Sequence, residues 1–324
     1  MVDKSLYNTI LSQTFSTCGK YLVVGNTYGE LGVYDLNQLL NPSEESPPSP
    51  RKPIYKHTLH EGVQLCSMVS FDKFLIIGSV GDIVGWDWKS VTTSTNPKIC
   101  WQISIPTSKD ALEKPDVNSL IISETGGYLY AGCGDNKIYV FDLEYGKLLR
   151  SFEGHDDYIH CIHSSGTTLA SASEDGSVRL WDTRQEICCS AVQPFMHERL
   201  CRPHLGKWIG AVALSDDWMI CGGGPRPALW HTRSLDMTMP YPMDDGGIHF
   251  LGFHDDRIMA GGCHPFFYHF SYSGDILAQI PSSSTSIYSA VLQESPIKAL
   301  SIAGSSAKID LCSNFSYRDQ ILSF

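Results

Sequence analysis

The chain has 324 residues and a formal net charge of −11, with 42% hydrophobic and 11% aromatic residues. That balance supports an ample packed core and argues against a broad nucleic-acid-binding face, which needs clustered Lys and Arg to neutralise phosphates. No run approaches the roughly 18 apolar residues of a membrane-spanning helix. The first residues, MVDKSLYNTILSQ, lack the apolar core of a secretory leader, and 11 cysteines without a CxxC pair read as reduced thiols.

In chain order, residues 8–35 read as a strand near Thr9–Phe15, a turn at Thr17-Cys18-Gly19 and a hairpin, YLVVGNTYGELGVYD, ending in Tyr34-Asp35. Residues 39–53, LLNPSEESPPSPRKP, are rich in Pro, Ser and Glu without periodicity, a composition that predicts a mobile loop. A second unit runs from His60-Glu61-Gly62 to Trp86-Asp87 and is followed by an insert near 89–114. A third, at about 116–142, contains GYLYAGCGDNKIYVFD.

The fourth, Ser151 to Arg184, carries the fullest pattern: Gly154-His155, a strand-like run, Leu169–Ser173, the turn Glu174-Asp175-Gly176, and Val178–Asp182. A GH pair followed by a WD pair resembles a WD40 repeat. The residue types support that reading. Trp181 has only an indole N–H to donate; Ser171 can accept it and donate to the ring of His155, whose other nitrogen can donate to Asp175. Ser173 is the alternative to Ser171, because the strand register is open at this stage. Asp175-Gly176 is also a hairpin signal.

Three further units contain WMICGGGPRPALWH, RIMAGGCHPFFYHF and KALSIAGSSAKIDLC. With Tyr34, Trp86, Phe141, Trp181, Trp230, Phe270 and Cys312 equivalent, the spacings are 52, 55, 40, 49, 40 and 42 residues. The shorter ones match the roughly 40–45-residue period of four-stranded blades. The expectation is one all-β domain, a seven-bladed WD40 propeller with blades at about 8–60, 61–115, 116–153, 154–200, 201–245, 246–284 and 285–324. The last blade takes its outer strand from residues 320–324, with Met1–Tyr7 as the alternative. No segment has the period of a long amphipathic helix.

His155, Asp175 and Ser171 have the residue types of a hydrolase triad, but beside Trp181 they read as a structural tetrad, and no catalytic residue is expected. His160, Cys161 and His163 lack metal-ligand geometry, since neighbouring strand residues face opposite ways, and His249, His254, His264 and His269 have no ligand spacing. No metal or other cofactor is expected. Gly222-Gly223-Gly224 and Gly132-Cys133-Gly134 precede no helix, so they read as turns needing unusual backbone angles, not phosphate loops. Candidate protein-binding residues are Arg202, Pro203, His204, Lys207 and Trp208, because Trp and Arg in a connecting segment have the composition of a hot spot.

The pieces RPH, KWIG, DDWM and CGGGP within 201–231, with GHDDYIHC at 154–161 and SEDGSVRLWDTR, are not required by any propeller rule. They resemble the THO complex subunit 6 family of WD40-repeat proteins. The resemblance implies a non-enzymatic subunit of the nuclear THO transcription–mRNA export assembly, docking on the coiled-coil subunits 5 and 7. Nuclear localisation rests on that resemblance, since Arg51-Lys52 is too short for an import signal. Direct RNA binding is not expected. A rival reading comes from LASASEDGSVRLWDTR, similar to the WDxR box recognised by the cullin-4 ligase adaptor, with Asp182 and Arg184 as contacts.

Overall fold

This computed structural model describes residues 7–40, 51–107, 113–185 and 187–324. These residues form seven four-stranded antiparallel sheets, each a meander of consecutive strands, and the fold is an all-β seven-bladed propeller. Among the described residues no helix is long and apolar enough to cross a membrane.

The chain divides into two compact units, residues 1–114 with 280–324 and residues 115–279. In the first, blade one runs from Ile10–Phe15 through Tyr21–Asn26 and Glu30–Asp35 to Tyr55–Thr58. Blade two consists of Ser67–Phe71, Phe74–Gly78, Asp82–Asp87 and Ile99–Ser104. Blade seven consists of Ile287–Gln293, Ala299–Gly304, Lys308–Cys312 and Gln320–Ser323. Its outer strand is thus the C-terminal one, paired from Leu311↔Gln320 to Lys308↔Ser323. Residues 1–6 of the alternative, Met1–Tyr7, lie outside the described residues, as do 41–50 of the expected loop and 108–112 of the expected insert. The rest of that insert contributes to the blade: the helix Trp88–Thr93, capped where Asp87 accepts from the Ser90 amide at 2.8 Å, and the outer strand Ile99–Ser104.

In the second unit, blade three is Val117–Ile122, Tyr128–Cys133, Ile138–Asp142 and Lys147–Phe152. Blade four is Ile159–Ser165, Thr168–Ser173, Val178–Asp182 and Cys188–Val192. Blade five is Ile209–Ser215, Trp218–Gly223, Ala228–His231 and Met237–Pro240. Blade six is Ile248–His254, Arg257–Gly262, Phe266–Ser271 and Ile276–Pro281, whose last two residues belong to the first unit.

The second strand of each blade is buried along nearly its whole length. It is covered on both faces, so it reads as a continuous apolar run rather than an alternation. Its second residue faces the WD-position residue of the third strand in all seven blades. The pairs are Leu22↔Tyr34, Leu75↔Trp86, Leu129↔Phe141, Leu169↔Trp181, Met219↔Trp230, Ile258↔Phe270 and Leu300↔Cys312. All seven third-strand residues are buried. Size varies from Trp to Cys at one packing position, and neighbouring side chains fill the difference.

The glycine runs depart from expectation. None of Gly222, Gly223, Gly224, Gly132 and Gly134 has a left-handed backbone. The requirement is space. A Cβ on Gly223 would lie 2.1 Å from the Trp208 carbonyl oxygen and 2.7 Å from the Gly210 amide, and one on Gly224 would lie 2.3 Å from the Gly206 carbonyl oxygen. Backbone cannot retreat as a flexible side chain can. Gly223→Ala is therefore expected to destabilise the protein by about 2 kcal/mol or more, read as a lower urea midpoint. An unchanged midpoint would contradict the close approach.

Candidate protein-binding surface

Blade four brings four polar side chains together under its turn. The Trp181 indole N–H donates to Ser171 Oγ at 2.8 Å, and Ser171 Oγ lies 2.7 Å from His155 Nε2. His155 Nδ1 lies 2.7 Å from Asp175 Oδ2. With the proton on Nδ1, every member has a partner: Ser171 donates to Nε2 and Nδ1–H donates to the carboxylate. Asp175 also accepts from the Ser177 amide and hydroxyl, each at 2.7 Å, and from the Asp156 amide at 3.1 Å. Burial pushes the Asp175 carboxyl up, but the bonds from His155 and Ser177 outweigh it and hold the group well below the usual carboxylate range. Ser173 takes a different part, donating to the Asp157 carbonyl at 2.9 Å and accepting from the Asp175 amide at 3.1 Å. Ser171 is fully buried and its oxygen is committed to Trp181 and His155, so this group has no opening for a substrate.

The segment joining blade four to blade five separates the other candidates. Arg202, expected to face a partner, is instead buried, at 3% exposure. Its Nε donates to the Gly224 carbonyl at 2.7 Å, one terminal nitrogen to Met243 at 2.7 Å and Asp244 at 3.1 Å, and the other to Gly223 at 3.0 Å and Pro225 at 3.2 Å. Five N–H donors meet five carbonyls, which is how a buried guanidinium is kept satisfied without a counter-ion. Arg202 is thus a structural anchor of the segment. Pro203, His204 and Lys207 are exposed, and Trp208 is half-buried.

Trp208 is held in a slot that the primary structure does not advertise. Its indole N–H donates to the Leu205 carbonyl at 2.8 Å, and its ring stacks on His249 at 5.1 Å and meets His160 edge-on at 6.2 Å. A Cβ on either Gly210 or Gly247 would come within 2.5 Å of the ring. His160, Gly210 and His249 occupy the same position in blades four, five and six. Each is skipped in the pairing of the first strand, between Ile159 and Cys161, Ile209 and Ala211, and Ile248 and Phe250. Such bulges re-aim one side chain away from the regular pleat. The openings IHCI, IGAV and IHFL share this pattern, which was the available signal. Burial, and then the neighbouring His160, pushes His249 down to about 4, so its ring is neutral at pH 7.

The other histidines do not converge. His160 Nε2 lies 2.8 Å from Glu174, His163 accepts from the Leu214 amide at 3.2 Å, and Cys161 donates to the Val212 carbonyl at 3.5 Å. His264 lies 3.3 Å from the Tyr268 hydroxyl, and His254 Nε2 3.5 Å from Asp255. His269 is fully buried and neither ring nitrogen has a hydrogen-bond partner among the described residues. Burial, then Arg257 and His254, pushes it down to about 4. Arg184 forms a bidentate pair with Asp182, at 2.9 and 2.6 Å, while its side chain remains 69% exposed. That pair holds Asp182 down at about 2.

Ser171→Ala leaves the Trp181 N–H and a ring nitrogen of His155 without their partner, and is expected to cost about 2–3 kcal/mol. Ser173→Ala removes a donor to the Asp157 carbonyl and an acceptor for the Asp175 amide, both only part-buried so that water can replace it, and is expected to cost about 1 kcal/mol. Equal urea midpoints for the two variants would contradict the assignment of Ser171. The pH dependence has a defined sign. His269 titrates at 6.5 when exposed and at about 4 when folded, so the unfolded chain binds the extra proton between these values. Stability falls as pH drops through that window, by up to about 1.4 kcal/mol per unit, and Asp175 adds its loss below about pH 4. His269→Leu should lessen the slope between about pH 6.5 and 4, leaving the part due to His249; an unaltered slope in urea titrations would refute this.

A family model for the WD domain, G-beta repeat, matches residues 108–142 and 146–182. Over nearly its full length the chain is similar to THO complex subunit 6 of Drosophila melanogaster, 38% identical over 317 residues, covering 98% of this chain and 89% of that protein. It is 37% identical to THO complex subunit 6 homolog of Danio rerio over 326 residues, covering 98% of each. Against THO complex subunit 6 of Homo sapiens it is 36% identical over 325 residues, covering 98% of this chain and 94% of that one. Similarity to serine-threonine kinase receptor-associated protein of Homo sapiens is 28% and covers only 52% of this chain. Partial similarity of that kind follows from shared repeats, whereas the similarity to the THO subunits extends through connections and outer strands, and the chain belongs to the THO complex subunit 6 family of WD-repeat proteins.

Proposed function

We propose that this protein is a non-enzymatic scaffold subunit of the nuclear THO assembly that serves transcription and mRNA export, docking on the coiled-coil THO subunits 5 and 7. The observation that carries the reading is similarity over 98% of the chain to proteins named as that subunit. Two features of the site support it. The constellation with hydrolase residue types around Ser171 is closed and internally satisfied. The exposed Pro203, His204 and Lys207 beside the slotted Trp208 form a rigid surface set by Arg202 and the glycines, which lowers the entropy lost on binding a partner.

The scaffold works by geometry: blades of fixed register hold several loop surfaces in fixed relation for protein partners. Direct RNA binding is no part of this reading, given the net charge of −11. The cullin-4 adaptor reading has less support, since the Arg184 guanidinium is already engaged by Asp182 within its own turn.

Affinity purification of the tagged full-length protein from nuclease-treated nuclear extract, read by mass spectrometry, tests the proposal. Recovery of THO subunits 5 and 7 is expected, with at least a tenfold reduction by His204→Asp/Lys207→Glu at the exposed segment. Recovery of the cullin-4 adaptor without any THO subunit would overturn the assignment. Unchanged recovery by the charge-reversed variant would overturn the docking surface.

A further inference from the structure

A second surface lies at the opposite end of the first strands of blades five and six from Trp208. In blade five the turn Asp216-Asp217 joins the first and second strands, and Asp255-Asp256 is the equivalent turn in blade six. Turn tips of this kind ordinarily carry small polar residues and water. Here they carry aromatics. Trp218 follows the blade-five turn, Phe253 precedes the blade-six turn, and Tyr272 follows the third strand of blade six.

The three rings form one floor. Phe253 and Tyr272 stack at 6.0 Å with an interplanar angle of 21°, and Trp218 meets Tyr272 edge-on at 6.2 Å. All three pack against the buried core of blades five and six and are partly buried. Four and five residues beyond Tyr272, at the start of the outer strand, Ile276 and Leu277 are 52% and 49% exposed. The surface is therefore apolar and held in place from below, so a ligand would not have to order it.

Its charge is predominantly negative. Asp216 and Asp217 directly precede Trp218, Asp255 and Asp256 lie two and three residues after Phe253, and Asp275 lies three after Tyr272; all five are exposed, as are the cations Arg233 and Arg257. Arg233 is committed to Asp217 at 3.1 Å. Asp216 and Asp256 form no ion pair among the described residues. Burial holds the Tyr272 hydroxyl above its ordinary pKa against a lowering hydrogen bond with Ser215, and the carboxylates of Asp256 and Asp216 add to the rise. Aromatic faces attract guanidinium and ammonium groups, and flanking carboxylates provide the complementary charge.

We propose that the surface of Trp218, Phe253 and Tyr272, flanked by Asp216 and Asp256, is a docking site for an Arg- or Lys-rich segment of a protein partner that also carries apolar side chains. The aromatic floor takes the basic stems and guanidinium planes, and Ile276 and Leu277 take the apolar side chains. An acidic or uncharged apolar segment would leave the carboxylates without a counter-charge. The site is separate from the Pro203–Trp208 segment and does not depend on what that segment binds.

The test is fluorescence anisotropy of a labelled Arg-Leu repeat peptide titrated with the full chain, with a Glu-Leu peptide of equal length as control. Asp216→Asn/Asp256→Asn is expected to weaken Arg-Leu binding about tenfold, as loss of two uncompensated carboxylates implies. Glu144→Gln/Glu198→Gln removes the same charge from exposed positions elsewhere and should leave affinity within about twofold. Tyr272→Leu, which keeps an apolar side chain and removes the ring, should weaken the Arg-Leu peptide. Equal losses in the two double variants would reduce the effect to net charge and overturn the site. So would unchanged affinity in Asp216→Asn/Asp256→Asn, binding of the Glu-Leu peptide as tightly as the Arg-Leu peptide, or no binding of the Arg-Leu peptide.

Discussion

Buried polar anchors hold three of the segments that carry the chain from the last strand of one blade to the first strand of the next. Such a segment has no ladder of its own, yet it sets where the next sheet begins. Before blade four, His155 is tied to Asp175 and Ser171. Before blade five, Arg202 uses all its donors on carbonyls around the blade-five turn and residues 243–244. Before blade seven, Ser282 and Ser283 bind the fully buried Asp310 at 3.1 and 2.6 Å, and Arg318 reaches the same carboxylate at 3.1 Å. A polar group removed from water needs a full set of partners, so each anchor is committed to one geometry.

The anchors differ chemically because the blades differ where they meet them. Blade four offers a serine and a tryptophan N–H to an imidazole. Blade five offers a row of backbone carbonyls exposed by Gly223, Gly224 and Pro225, which suits a guanidinium better than any smaller donor. Blade seven places an aspartate on its third strand, where serine hydroxyls and the Ser283 amide can reach it. At Trp181, Trp230 and Cys312, burial of the WD position and the neighbouring anchor share the task of fixing the blade.

Rigidity at these connections is what a scaffold requires. Pro203, His204 and Lys207 are exposed from a segment whose ends are fixed by Arg202 and by Trp208 in its glycine slot. The aromatic floor at Trp218 and Tyr272 is likewise supported by the core of blades five and six. Two surfaces of different charge thus lie at opposite ends of the same first strands, one with Lys207 and His204, the other with Asp216 and Asp256.

The number of blades, their strand order and the position of each WD-equivalent residue were legible in the primary structure. They depend on local pattern: apolar second strands, Asp-Gly and Gly turns, and a period near 40 residues. The short helix Trp88–Thr93 and the outer strand Ile99–Ser104 were hidden inside an apparent insert, because a six-residue strand with an exposed outer face has little periodicity to show. Residue type alone determined that Trp181 needs an acceptor and that His155 can bridge Ser171 and Asp175. Tertiary structure decided that Ser171 rather than Ser173 faces the indole, since that depends on register. It also decided that Arg202 turns inward while Lys207 stays outside, because the carbonyls that receive Arg202 lie more than 20 residues away in the chain. The glycines at 210, 223 and 247 were visible as letters, but only the approach of Trp208 and of neighbouring backbone shows why no Cβ fits there.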